Sequence, residues 1–372
     1  MKKVSLLLVC FGFLALGSST SSAKDKRVIV KFKGATRADL VWANGGIVEN
    51  EFRILKGVSA VIPEERLARL WAHPAVEYIE EDRLVYAIGK KPPSQPAQTV
   101  PWGVSKVNAP LAWTLTTGYN VNVCVVDTGI ELTHPDLKDN IAWNVSFVTG
   151  AKTGNDDNGH GTHVAGIIAG VNNSIGVVGV AYDVNLAAVK VLNKSGSGYT
   201  SWVIKGIEWC VANNMDVINL SLSSETYSQA EEEAINTAYN AGLVIVAAAG
   251  NDAQTGNNVQ YPAAYSTVLA VSATNKDNAI ASFSSYGDWV DIAAPGVDIY
   301  STYKGGTYAT LSGTSMAAPH VAGCAAALLA FNPALTNAEV YAKLTSTATD
   351  LGSAGWDAYF GWGLVNLYAA LQ

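Results

Sequence analysis

The chain has 372 residues, 49% of them hydrophobic and 15% charged, with 34 glycines and a net charge of −7. That length allows a large domain plus a smaller one, and the composition excludes a disordered, fibrous or low-complexity chain. Residues 24–88 carry 11 basic and 10 acidic side chains while residues 89–372 carry 11 and 21, so the larger part is acidic without basic clusters, which argues against nucleic acid or an anionic membrane as partner.

Lys2 and Lys3 precede an apolar run from Val4 to Leu16 and the small-residue stretch GSSTSSA. This is the pattern of a secretory signal over residues 1–23, expected to be cut after Ala23; the run is too short for a mature membrane span. An uncleaved anchor is the alternative. Cys10 lies inside the apolar run, where a lipoprotein cysteine would not, and no other stretch reads as transmembrane.

Residues 24–88 have a pattern of their own. RVIVKFK, GGIVENEF and GVSAVIP read as strands, and AVEYIEEDRLVYAI as a closing extended segment. PEERLARLWAH reads as a helix started by Pro63, with Leu67, Leu70 and Trp71 on one face. A small sheet with helices on one face is expected. The Pro-rich stretch GKKPPSQPAQTVP then marks a protease-accessible linker, residues 89–97, before the main domain, residues 98–372.

Beyond the linker VNVCVVD, VNLAAVKVL, DVINLSLS, LVIVAAAG and VLAVSAT read as strands. GTHVAGIIAGV, TSWVIKGIEWCVAN and SQAEEEAINTAYNAG read as the helices between them. Near-continuous β-branched runs separated by helices predict an α/β fold, a mainly parallel central sheet covered by helices on both faces. Cys124, Cys210 and Cys324 are odd in number and far apart, so three buried thiols are expected, with a single bridge as the alternative. Three N-x-S matches occur, at Asn144, Asn172 and Asn219; the last lies in a strand expected to be buried and is a false match.

In a parallel sheet, ligands bind beyond the carboxyl ends of the strands. Asp127 ends the strand VNVCVVD, and Asn251 follows LVIVAAAG. His160 starts one helix, and Ser315, in SGTSMAAPHVAG, starts another. Taken locally, Ser315 reads as a cap on an Ala-rich helix, Asp127 as a strand end, Asn251 as a turn residue, and HGTH as a metal pair without a third ligand. Taken together, they supply a nucleophile, a base, a carboxylate to orient the base, and a side-chain donor for an oxyanion.

VVDTGIELTHPDL, NGHGTHVAG, INLSL, VIVAAAGN and GTSMAAPHVAG, in that order, resemble the sequence blocks of the subtilisin-like serine proteases, and the likeness covers essentially all of residues 97–372. Residues 24–88 resemble the family's N-terminal propeptide. The resemblance implies Ser315 as nucleophile, His160 as general base and then acid, Asp127 as orienting carboxylate, and Asn251 with the Ser315 N–H as the oxyanion hole. It implies polypeptide substrates added as strands beside Gly196, Ser197 and Gly198 and beside Ser221, Leu222 and Ser223, near Gly250. Ser223 stands where the family usually carries Gly, an exchange expected to narrow the pocket for P1, the residue whose carbonyl is attacked. Asp252 stands where the family often carries Glu. A broad, apolar-leaning P1 preference is expected.

GVNNSIGVVGV alone is a polar turn, but it resembles the family's high-affinity calcium loop. The implied oxygen donors for Ca²⁺ are Asp136, Gln98, the Asn173 side chain and the carbonyls of Val171, Ile175 and Val177. A weaker second site would use the carbonyls of Ala263, Tyr265 and Val268 with Asp291. The NDDN run at 155–158 reads as a solvated loop. The resemblance further implies a secreted, monomeric enzyme that cuts its own precursor and is held inactive by its propeptide. Alignment puts the cut after Ile88, though a β-branched residue suits such a pocket poorly, and Tyr86 or a bond within 89–96 stays open. Two other classes are disfavoured. A phosphate-binding α/β protein lacks a GxxxxGK[ST] turn or a strand-linked GxGxxG, and an inactive binding relative would not keep all four catalytic positions filled.

Overall fold

The structure, a computed structural model, describes residues 25–52, 56–83 and 95–372, and the chain divides into two units at Lys91/Pro92. The signal cut after Ala23 and the processing position Ile88 lie outside the described residues.

In the first unit β1 (Asp25–Phe32), α1 (Ala38–Ala43), β2 (Ile47–Phe52), β3 (Gly57–Pro63), α2 (Glu64–Trp71) and β4 (Val76–Glu81) follow in order. The strands form an antiparallel sheet in the order β2-β3-β1-β4. Val28, Val30 and Phe32 alternate along β1 and pack with Val41 of α1 and Leu70 of α2 in one small core. This is the half-buried strand pattern of period 2. The short helix α1 was not expected.

The second unit opens with α3 (Trp102–Lys106) and α4 (Ala109–Ala112), then β5 (Asn122–Asp127), β6 (Ile141–Ser146), α5 (His160–Ala169), β7 (Asn185–Lys190), α6 (Thr200–Ala212) and β8 (Val217–Leu220). It continues through α7 (Gln229–Asn240), β9 (Val244–Ala248), β10 (Leu269–Thr274), β11 (Ile292–Pro295) and the hairpin β12 (Ile299–Tyr303) and β13 (Thr307–Leu311). It closes with α8 (Thr314–Phe331), α9 (Asn337–Ser346) and α10 (Leu367–Ala370). Seven strands form a parallel sheet in the order β11-β10-β9-β8-β5-β7-β6, as the apolar runs predict. Val123 and Val125 of β5 enter one core with α5 and α8; Cys124 and Val126 enter a second with α6 and α7. Burial on both faces is what makes these strands continuously apolar.

Strand order reverses at the centre. From β5 the chain runs outward to β6 and β7 on one side, and returns to build β8 to β11 on the other. The carboxyl ends of β5 and β8 therefore flank a crevice that no crossover covers, the usual place for a ligand in an open sheet. Asp127 ends β5 and Ser221 follows β8. The apolar helix α8 lies in the core against α5, β8, β9, β10 and β11, and its first turn reaches that rim.

The expectation of three free thiols is corrected. Cys124 of β5 and Cys210 of α6 form a disulfide, and Cys324 remains a buried thiol. Both bridged residues lie in the core under α6, where strand alternation and helix packing bring two side chains face to face across 86 residues of sequence. Asn219 is fully buried in β8, which excludes its glycosylation match. Unfolded in guanidinium without reductant, the protein lacking its first 23 residues should titrate one thiol, and three after reduction; three from the outset would contradict the bridge. Replacing both bridged cysteines by Ala should lower stability by about 2–5 kcal/mol, read from denaturation midpoints.

Candidate active site

The buried strand β5 delivers Asp127, fully inaccessible, to the rim. Its carboxylate accepts from His160 Nδ1 at 2.9 and 3.0 Å, and Oδ1 also accepts the Thr128 N–H at 2.6 Å. A carboxylate here only accepts, so the imidazole carries its proton on Nδ1 and offers Nε2 as a base. The approach is close: a Cβ at Gly161 would overlap the Gly129 carbonyl and crowd Asp127. Gly159, at the helix cap with φ 116°, takes the left-handed backbone that turns His160 inward.

Asp156 is a site residue that sequence reasoning missed. The NDDN run is solvated at Asn155 and Asp157, but Asp156 is buried. Its Oδ1 accepts the N–H groups of Asn158 and Gly159, both at 2.9 Å. Its Oδ2 accepts the Thr162 N–H at 3.0 Å and hydroxyl at 2.6 Å. A carboxylate on the unpaired donors of a helix start is well satisfied. Burial pushes the His160 pKa down, but the Asp127 charge, the Asp127 hydrogen bond and the Asp156 charge together outweigh it, and the net shift is upward. His163, the second histidine of HGTH, is no metal ligand. Its Nε2 meets the Ile299 and Ala309 carbonyls at 3.0 and 3.1 Å, and burial pushes it down to about 4.

Ser315 is not a cap. Gly313 holds that position, and Ser315 lies in the first turn of α8. Its hydroxyl donates to the Ser221 carbonyl at 3.2 Å, while the Ser221 hydroxyl donates to the Ser315 carbonyl at 2.9 Å. The Ser315 carbonyl is free because Pro319, four residues on, has no N–H to claim it. Asn219 Nδ2 completes the chain by donating to Ser221 Oγ at 2.9 Å. Pro319 in the helix interior thus leaves the Ser315 carbonyl open to the Ser221 hydroxyl.

Asn251 Oδ1 accepts the Thr314 N–H at 2.9 Å and the Thr314 hydroxyl at 3.1 Å. Two donors on one oxygen fix the amide, turning Nδ2 the other way. A Cβ built on Gly313 would lie 3.7 Å from Asn251 Nδ2, Asn251 Oδ1 and the Ser315 nitrogen alike, so the Asn251 amide and the Ser315 N–H lie about one point. No acceptor among the described residues takes the Ser315 N–H.

A cleft of about 600 Å³ joins His160 to Gly196, Ser197, Gly198, Ser221, Leu222 and Ser223, the segments expected to hold substrate. The backbones of Gly198, Leu222 and Ser223 make no hydrogen bonds among the described residues, which leaves two strand edges open. Gly250, with φ 111°, is not among the residues lining the cleft; it donates its N–H to Thr314 Oγ1 at 3.2 Å. Thr200, Val203, Glu231 and Tyr261 also line the cleft and were not expected. Lys190, buried at the end of β7, ties the rim together through the Thr128 carbonyl, the Leu192 carbonyl and Asp157 Oδ1 at 2.6, 2.9 and 2.7 Å. A lone lysine closing the apolar run VNLAAVK was its signal.

The loop after α5 gathers most of the expected calcium donors. Gln98 Nε2 donates to the carbonyls of Val171 at 2.8 Å and Val177 at 3.5 Å. Asn173 Nδ2 donates to Asp136 Oδ1 at 2.8 Å, and Asp136 Oδ2 accepts the Val177 N–H at 2.9 Å. Asn173 Oδ1 accepts the Ile175 N–H at 2.7 Å. Burial pushes the inaccessible Asp136 carboxyl up to about 6. Oxygens converging on an NH₂ group beside a buried carboxylate without a cationic partner fit a hard cation such as Ca²⁺. The second set is less assembled. Asp291 Oδ2 accepts the Ala270 N–H at 2.8 Å, the Tyr265 carbonyl accepts the Val268 N–H at 3.0 Å, and no hydrogen bond links Asp291 to Ala263, Tyr265 or Val268.

Comparison with known proteins adds independent findings. A model of the subtilase family matches residues 118–363. Subtilisin NAT of Bacillus subtilis subsp. natto is 43% identical, over 99% of this chain and 96% of its own length. An alkaline protease of Shouchella clausii is 48% identical over 87% of this chain and 81% of its own. A subtilisin of Bacillus pumilus is 51% identical over 74% of this chain and all of its own. With the family model covering most of the parallel-sheet unit and relatives matching nearly end to end, the chain belongs to the subtilase family and is a serine endopeptidase.

Proposed function

We propose that this chain is the precursor of a secreted endopeptidase that hydrolyses peptide bonds through Ser315, His160 and Asp127. The observation that carries the reading is the bond from His160 Nδ1 to the buried Asp127 carboxylate, at the same rim as a serine on a helix start. A substrate strand adds between Gly196–Gly198 and Ser221–Ser223. Its backbone takes over the Ser221 carbonyl, and the Ser315 hydroxyl turns to His160 Nε2. His160 removes the hydroxyl proton as Ser315 Oγ attacks the scissile carbonyl. The resulting oxyanion accepts from Asn251 Nδ2 and the Ser315 N–H. His160 then gives its proton to the leaving amine, and water, deprotonated by the same imidazole, releases the acyl group.

Residues 1–23 are read as the signal and 24–88 as a propeptide that assists folding and then inhibits, with the first cut after Ile88 or nearby in residues 86–97. Secretion agrees with the disulfide, which persists in an oxidising compartment. Polypeptides are the substrates, with an apolar-leaning P1 preference. Ca²⁺ is read as structural, held by Gln98, Asp136, Val171, Asn173, Ile175 and Val177, with Asp291, Ala263, Tyr265 and Val268 as a weaker second set. On this reading Gln98 takes its place beside the loop before the precursor is cut.

Intact masses of the protein lacking its first 23 residues should show a wild-type chain shortened at a bond within 86–97 and an uncut Ser315→Ala chain. Equal cutting of both would assign processing to another protease. On the acid side, kcat/KM should fall as His160 takes up a proton. In Asp156→Asn the loss of negative charge lowers the His160 pKa, so the acid limb should move to lower pH; an unmoved limb contradicts the role given to Asp156. For calcium, the raised Asp136 pKa means that the cation-free fold loses stability as pH rises through about 6. Added Ca²⁺ should therefore raise the Tm of Ser315→Ala more at about pH 8 than near pH 4, and Asp136→Asn should blunt the response. A Tm indifferent to calcium at both pH values would refute the site.

A further inference from the structure

The substrate cleft contains a carboxyl group that the reaction does not use. Glu231, on the first turn of α7, is 5% exposed and lines the cleft shared by His160, Gly198, Ser221, Leu222 and Ser223. Its Oε2 lies 3.1 Å from the Tyr265 hydroxyl, which is also 2.9 Å from the Ser228 carbonyl. Oε1 makes no hydrogen bond among the described residues, yet it is not sealed among the buried unpartnered atoms, so it opens to the cleft. No lysine or arginine among the described residues pairs with Glu231. A carboxylate withdrawn from water without a counter-charge loses solvation that only a cation restores.

Leu222, Val203, Thr200 and Tyr261 line the same cleft as this carboxyl. These walls are largely apolar, and Glu231 among them is acidic. Lysine and arginine match that combination of surfaces, with an aliphatic stem that packs and a charged tip. Glu231 comes after Ser221–Ser224 in the chain, on the element that follows the substrate edge. On the endopeptidase reading the P1 residue meets that edge at Ser221, whose carbonyl lies 3.2 Å from the Ser315 hydroxyl, and an antiparallel substrate strand runs upstream from there past Leu222 and Ser223. The side of the scissile bond held there is the acyl side.

Resting on the endopeptidase reading above, we propose that Glu231 forms the acidic end of a subsite for a lysine or arginine upstream of P1, so that the enzyme favours polypeptides with a basic residue at that one position. The rest of the cleft binds backbone and tolerates many sequences; this group reads a charge.

The test is a set of fluorogenic peptides in which Lys, Leu or Nε-acetyl-lysine is placed at each upstream position in turn, assayed at about pH 8.5, between the carboxylate and lysine ranges. One position should favour Lys over Leu by about tenfold in kcat/KM, as expected for a desolvated charge pair. Acetylation should erase that preference in the wild type, without any change to the protein. Glu231→Gln should flatten the Lys-to-Leu ratio, and Glu231→Leu should invert it. Hydrolysis that ignores Lys at every position, or a preference that survives acetylation or both substitutions, overturns the subsite alone. Failure to hydrolyse any peptide overturns the endopeptidase reading as well.

Discussion

A parallel sheet buried on both faces disfavours polar side chains within its strands, where Asn219 and Ser272 are buried exceptions, and leaves them chiefly to the strand ends. Val123, Cys124, Val125 and Val126 are all fully buried, and the next residue is Asp127. The same constraint puts Lys190 at the end of β7, Ser221 just past β8 and Asn251 just past β9. All strands run in one direction, so these ends collect on one rim, and the reversal of strand order beside β5 and β8 opens a crevice there. The polar groups are concentrated at this rim because the interior of the sheet is largely apolar.

Two helix starts complete the rim, each adapted to what it presents. The α5 start is satisfied by Asp156, whose four hydrogen bonds fix the turn carrying His160 while its charge favours the imidazolium. The α8 start leaves the Ser315 N–H free. There the interior Pro319 releases the Ser315 carbonyl to Ser221, and Ser315 is held by a reciprocal pair of hydrogen bonds between the end of β8 and the first turn of α8. Such bonds contribute only about 1 kcal/mol each to stability, but they set the serine's position against a rigid sheet. In the proposed mechanism, substrate addition competes for one of the two, which links binding to release of the hydroxyl.

The fold was legible because its signals are periodic. Continuous β-branched runs gave the five inner strands, and the change to helical spacing gave α5, α6 and α7. Strands β6, β11 and the hairpin β12–β13 were not read; β6 is an edge strand with mixed burial, and the others are four or five residues long among loops. The helix α9 carries its signal openly, since Thr336 and Glu339 form a capping box. Asp127, His160, Ser315 and Asn251 were readable because each stands beside a strong local pattern. Asp156, Glu231 and the Cys124–Cys210 bridge were not, because their roles depend on burial and on partners far away in sequence. An acidic residue in a polar run looks solvated until tertiary structure encloses it.

In the proposed mechanism Ser315 is made nucleophilic by His160 oriented on Asp127. The direct measurement is to treat the matured enzyme with a fluorophosphonate and locate the adduct by peptide mass mapping. One equivalent of phosphonyl group on Ser315, formed rapidly in the wild type and suppressed in a His160→Ala chain matured in trans by wild-type enzyme and separated from it, is the predicted result. Labelling of Ser315 that is equally fast without the imidazole, or labelling of a different serine, would contradict it.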